Sequence, residues 1–122
     1  MDEMRFQRIN RAFEANGGVI ASGPEIDRHL EKFKAEASTI DEKTILIKSG
    51  IPTASAMFEE LIHTAQIRSG RATGVNMVEM EIEAKRKLVR HQKLYGIPDH
   101  ENEVTIKHIR ELEQILRGGA AE

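Results

Sequence analysis

Apolar residues along this chain recur mostly every third or fourth position, the spacing of amphipathic helices, and only occasionally collect into short β-branched runs. Phe6, Ile9 and Phe13 line one face of a stretch from Met4 to Ala15. Asn16-Gly17-Gly18 closes it, because glycine accepts the left-handed backbone that caps a helix. Val19-Ile20-Ala21 reads as a short strand. Ser22-Gly23-Pro24 then breaks the chain, and proline at a first turn predicts a helix from Glu25 to Ala37 with Ile26, Leu30 and Phe33 inside. Thr44-Ile45-Leu46-Ile47, bounded by Asp41-Glu42-Lys43 and Ser49-Gly50, predicts another strand.

Ile51-Pro52-Thr53 turns the chain into a helix from Ala54 to Arg68, where Met57, Phe58, Leu61, Ile62 and Ala65 keep the i, i+3, i+4 spacing of a buried face. At roughly 100° per residue, Glu59, His63 and Gln66 share its other side. After the loop Ser69-Gly70-Arg71-Ala72-Thr73-Gly74, a longer helix from Val75 to Tyr95 aligns Met77, Ala84, Leu88 and Tyr95 and stops at Gly96-Ile97-Pro98. Asp99 is the N-cap expected for a last helix with Val104, Ile109, Leu112 and Leu116 on its inner face, ending at Gly118-Gly119. The 122 residues suit one domain with a single core. The class expected is α+β, mostly helical, with two or three short strands and four to five helices.

Chemistry concentrates on the Ala54–Arg68 helix, in Phe58-Glu59-Glu60-Leu61-Ile62-His63, and on the next helix, in Glu81-Ile82-Glu83-Ala84. In the zinc-hydrolase motif H-E-x-x-H, two ligands at i and i+4 share a helix face and the intervening Glu is the general base toward a water activated by the metal. Here Glu59 takes the first ligand position. A carboxylate oxygen binds Zn²⁺ at roughly 2.0–2.2 Å, so Glu59 and His63 form a candidate pair and Glu60 keeps the base position. The bland counterpart is an amphipathic surface helix with a solvated polar stripe. Glu81 argues against it, since it lies between Met77, Val78 and Leu88 in an apolar stripe, where a carboxylate is costly unless paired or ligated. Glu79 and Glu83 fall on the other side with Arg86 and Arg90, as salt-bridge neighbours. Wheel geometry favours Glu81 as a third ligand, whereas its position directly before Ala84, 20 residues after His63, favours Glu83.

Composition narrows the choices. Without cysteine, disulfides and thiolate metal sites are excluded, so a metal must be held by His, Asp, Glu or water. Eighteen basic and twenty acidic residues give a net charge of −2, and no basic run interleaved with aromatics suggests nucleic acid. A nuclease using the same His and carboxylates has no support from this balance. No apolar stretch approaches the ~18 residues of a membrane span, and Met1-Asp2-Glu3-Met4-Arg5 lacks a secretory h-region, so a cytoplasmic chain without a membrane partner is expected. His29, His91, His100 and His108 sit among charged residues and read as exposed. Asp99-His100-Glu101 reads as turn and capping chemistry. Lys85-Arg86-Lys87, with Arg90 and Lys93, reads as a solvated face open to an acidic partner.

Taken together, Arg11-Ala12-Phe13-Glu14-Ala15-Asn16-Gly17-Gly18, Lys43-Thr44-Ile45-Leu46-Ile47, the segment Phe58 to Gln66, Glu81-Ile82-Glu83-Ala84-Lys85-Arg86-Lys87-Leu88 and Tyr95-Gly96-Ile97-Pro98 resemble small zincin-like modules at the C-termini of bacterial polymorphic toxins. The resemblance covers most of the chain. It implies a zincin-like arrangement, a metallopeptidase-like toxin activity exported to competing cells, a peptide or protein substrate and an immunity protein as partner. It also implies Glu59, His63 and Glu83 as metal ligands, with Glu60 as base. The resulting expectation is a hydrolase using a divalent metal, zinc foremost. The alternative is a non-catalytic module of the same fold, in which Glu59, Glu60 and His63 form a polar cluster and a helical surface binds another protein.

Overall fold

The computed structural model describes residues 1–121, with side chains through Gly118. In chain order it contains α1 (Glu3–Ala15), β1 (Val19–Ala21), α2 (Pro24–Lys32), β2 (Ala37–Asp41), β3 (Thr44–Ile47), α3 (Ala54–Arg68), α4 (Met77–Arg90), α5 (Gln92–Tyr95) and α6 (Asp99–Ala121). The class is α+β and mostly helical. Capping residues set several of the boundaries. Asp2 Oδ1 accepts the Arg5 amide at 2.8 Å to open α1. At its far end Gly17 takes φ +86° and the Gly18 amide reaches back to the Phe13 carbonyl at 2.9 Å. A Cβ at Gly18 would lie 2.5 Å from the Phe13 ring, so only glycine lets the chain pass so close.

The sheet differs from the pattern-based expectation. The helix predicted to Ala37 stops at Lys32: Lys34 adopts φ 52° and the Ala35 amide returns to the Leu30 carbonyl at 3.0 Å. The freed residues Ala37–Asp41 form β2, antiparallel to β3 with Ala37 opposite Ile47 and Thr39 opposite Ile45. β1 runs parallel to β3, giving the order β1-β3-β2. Ala-Ser-Thr-Ile-Asp carries no strong strand signal; pairing with the apolar β3 supplies the ordering.

α3 lies between this sheet and α4. On one side Met57 packs with Ile45 and Ile47, and Phe6, Ile9 and Phe13 of α1 close over them. On the other, Ala54 and Ile62 pack with Ala84, Leu88 and Ile97, where Phe58 stacks on Tyr95 at 4.6 Å between centroids. Enclosure on two sides buries the polar residues Glu60, Thr64 and Gln66 of α3 as well, so the helix has no simple solvated stripe. The single helix expected from Val75 to Tyr95 is interrupted at His91, with φ −111° and ψ 30°, and leaves a four-residue α5. Asp99 begins α6, and its carboxylate accepts the Gln92 amide group at 2.8 Å instead of capping. Packing on α4 buries Thr105 and Ile109, with Leu112 half-buried, while Val104 and Leu116 turn outward; Met77 is also exposed. No described helix is long and apolar enough to cross a membrane.

Candidate metal centre

The polar residues of α3 come to the point where that helix faces both β2 and α4. Glu59 and His63, one turn apart, present ligand atoms beside Glu81 of α4, and all three atoms lie within 4.8 Å of one another. Each side chain is half-buried. His63 Nε2 stands 3.2 Å from Glu81 Oε1. That contact is a charge pair, and the nitrogen is buried. Three oxygen and nitrogen donors in this arrangement could hold a metal ion.

The imidazole is oriented from behind. Its Nδ1 lies 2.8 Å from Gln66 Oε1. The Gln66 NH₂ group donates to the Met80 carbonyl at 3.0 Å and to Glu83 Oε1 at 3.2 Å, which fixes the amide with its oxygen toward His63. Nδ1 therefore carries a proton, which leaves Nε2, the nitrogen that faces the carboxylates, as the one a metal would take in place of the second proton. Outer partners of this kind fix the tautomer of metal-binding histidines. Glu83, paired with Arg71 and bonded to Gln66, belongs to this supporting layer and is not among the three converging ligands. Of the sequence candidates, the structure brings Glu59, His63 and Glu81 together and places Glu83 one residue removed, behind Gln66.

Glu60 is the deepest of the four, at 7 % exposure. Thr39 of β2 donates its hydroxyl to Glu60 Oε1 at 2.9 Å and also to the Glu60 carbonyl at 3.1 Å. Burial, joined by the Glu59 charge, pushes the Glu60 carboxyl up to about 7, against the opposing pull of His63 and Thr39. An acid held there can give or take a proton near neutrality. Burial pulls His63 down, but the close Glu81 carboxylate, the Gln66 contact and the Glu60 charge outweigh it and leave the imidazole at about 9. The His63 contact holds Glu81 below the usual carboxylate range, with Lys85 adding to the effect.

A cavity of about 370 Å³ opens over the cluster, with Glu59, Glu60, His63 and Glu81 joined by Thr39 and Met80 in its lining. Three contributors lay outside the sequence reading of the site. Gln66 was legible as an i, i+3 neighbour of His63 but not as its orienting partner. Thr39 was hidden because β2 was. Of Lys85, Arg86 and Lys87, expected together on a solvated face, only the last two are exposed; the Lys85 ammonium lies 2.5 Å from Glu59 Oε1. Its signal was the i, i+4 spacing from Glu81. The salt bridging expected within α4 is also redistributed, with Glu83 paired to Arg71 and Arg86 to Glu113. Glu101 accepts the Ser55 amide and hydroxyl at 3.0 and 2.8 Å, which makes it part of the α3 start. His29, His100 and His108 are exposed and His91 is half-buried.

No protein family, curated protein or solved structure matches the chain.

Proposed function

We propose that the Glu59-His63-Glu81 cluster binds one divalent cation, zinc foremost, and that the protein is a metal-dependent hydrolase of peptidase type. The observation that carries this reading is the convergence of three ligand atoms within 4.8 Å, one of them the Nε2 of an imidazole that Gln66 orients from behind, in the lining of a cavity. Two carboxylates and one imidazole form a donor set suited to zinc, and three protein ligands leave a position open, as in catalytic zinc sites. When bound, the cation would supply Lewis-acid chemistry toward a carbonyl and toward water.

The chain's own residues supply the rest. Gln66 holds His63 in the tautomer that offers Nε2. Thr39 restrains Glu60 Oε1, so the carboxyl sits in a fixed place beside the ligand pair, where it would serve as proton acceptor toward water. The cavity can admit a side chain and the adjoining backbone of a peptide. A toxin role with an immunity protein as partner extends the reading through the motif resemblance.

One observation favours a second reading. The Lys85 ammonium already neutralises Glu59, so the cluster is satisfied in charge as a metal-free polar core, as a non-catalytic binding module of the same fold would need. Hydrolysis of a mixed peptide library with and without Zn²⁺, by wild type and Glu60→Gln, separates the two. Metal-dependent cleavage lost in Glu60→Gln supports the hydrolase. No cleavage by wild type with metal bound favours the module.

A further inference from the structure

Lys85 extends from α4 into the gap between the two carboxylates that the proposed cation needs. Its Nζ is 2.5 Å from Glu59 Oε1 and 3.7 Å from Glu81 Oε2, and its side chain keeps 13 % of its exposure. Glu81 and Lys85 stand one turn apart on α4, the order in which a Glu–Lys pair is most favourable. A cation bound through Glu59 Oε1 would place its charge only a few ångströms from the ammonium. Like charges that close repel, and more strongly in a partly buried setting than in water. Both cannot keep the same oxygen.

We infer that Lys85 is a built-in competing cation: in the metal-free protein it holds Glu59 and Glu81 together, and loading of the site requires its displacement. This rests on the metal-binding reading above. The fold provides a place for the displaced side chain. A groove of about 440 Å³ on the far side of Glu59 is lined by Lys85 itself, Glu101, Val104 and His108. Lys85 and Glu101 line the same groove, so a carboxylate stands on the side toward which the displaced ammonium would turn. Lys85 thus sets the selectivity of the site, because a cation that binds carboxylates weakly does not displace an ammonium already in contact with them.

The device also explains why Lys85 differs from its neighbours. Arg86 and Lys87 project from the exposed side of the same helix, and Arg86 is engaged with Glu113. Neither touches the cluster, so a charge change at Lys87 serves as a control for general electrostatics.

Calorimetric titration of Zn²⁺ into wild type, Lys85→Met and Lys87→Met tests the inference. Lys85→Met should bind about tenfold more tightly than wild type. Lys87→Met should stay within about twofold, its exposed charge being screened. In parallel, acetylation of Lys85 in the wild-type protein, mapped by mass spectrometry, should speed up when Zn²⁺ is added. Equal affinity of wild type and Lys85→Met, with unchanged acetylation, overturns the competing-cation role while leaving the metal site standing. No zinc binding by any of the three proteins overturns both. Should Lys85→Met fail to fold, the acetylation of wild type decides: acceleration by Zn²⁺ supports displacement and no acceleration refutes it.

Discussion

Replacing Glu60 by glutamine keeps the shape of the side chain and the oxygen that accepts the Thr39 hydroxyl, but removes the ionisation. Burial first, and then the Glu59 charge, raise the carboxyl from 4.5 to about 7. Because the folded state holds this proton more tightly than the unfolded chain, the stability it contributes is fully present below pH 4.5. It is lost as pH rises through about 7. At about 1.36 kcal/mol per unit, the loss has a ceiling of roughly 3 kcal/mol. The attraction of His63 for the ionised carboxyl is already contained in that shift. The expected gain of Glu60→Gln over wild type is therefore up to about 3 kcal/mol at pH 8, and close to zero at pH 4. Urea denaturation followed by circular dichroism at both pH values, with a chelator present, gives the comparison from midpoints and slopes. A difference of the same size and sign at the two pH values would show that Glu60 is not a buried acid, and the reasoning about its environment would fail.

Two further substitutions probe the support of the cluster. Gln66→Leu removes the acceptor that fixes His63 Nδ1, and zinc affinity measured by calorimetry should drop about 10–100-fold with the fold retained by circular dichroism; unchanged affinity would exclude an orienting role. Glu81→Ala leaves His63 and Lys85 without a shared partner and should lower the urea midpoint by the equivalent of about 1 kcal/mol, solvent screening at its 38 % exposed side chain limiting the effect. The exposed Glu79→Ala should change stability by only a few tenths of a kcal/mol, and equal shifts for the two variants would place Glu81 outside any network.

Much of the architecture was legible because long amphipathic segments carry their own period. The α3 boundaries Ala54 and Arg68 follow from Thr53, which caps the Ala56 amide at 3.2 Å, and from the apolar spacing between them. What escaped depends on contacts distant in sequence. β2 exists because β3 pairs with it, and nothing within Ala37–Asp41 announces a strand. The inner face of α6 is set by its packing on α4, which no single-helix wheel contains. In the site, the wheel position of Glu81 signalled a carboxylate that needs a partner, and the structure supplies His63 and Lys85. The roles of Gln66 and Glu83 were not legible, because they depend on a loop residue, Arg71, and on the Met80 carbonyl reaching across from a second helix.

In the proposed centre, His63 and two carboxylates form a site for one divalent cation. The most direct test is calorimetry of Zn²⁺ against wild type and His63→Ala, repeated with Mn²⁺ and Ni²⁺. One equivalent bound by wild type, with loss of that binding in His63→Ala, is the predicted result. Equal binding by both proteins, or none by either, would contradict it.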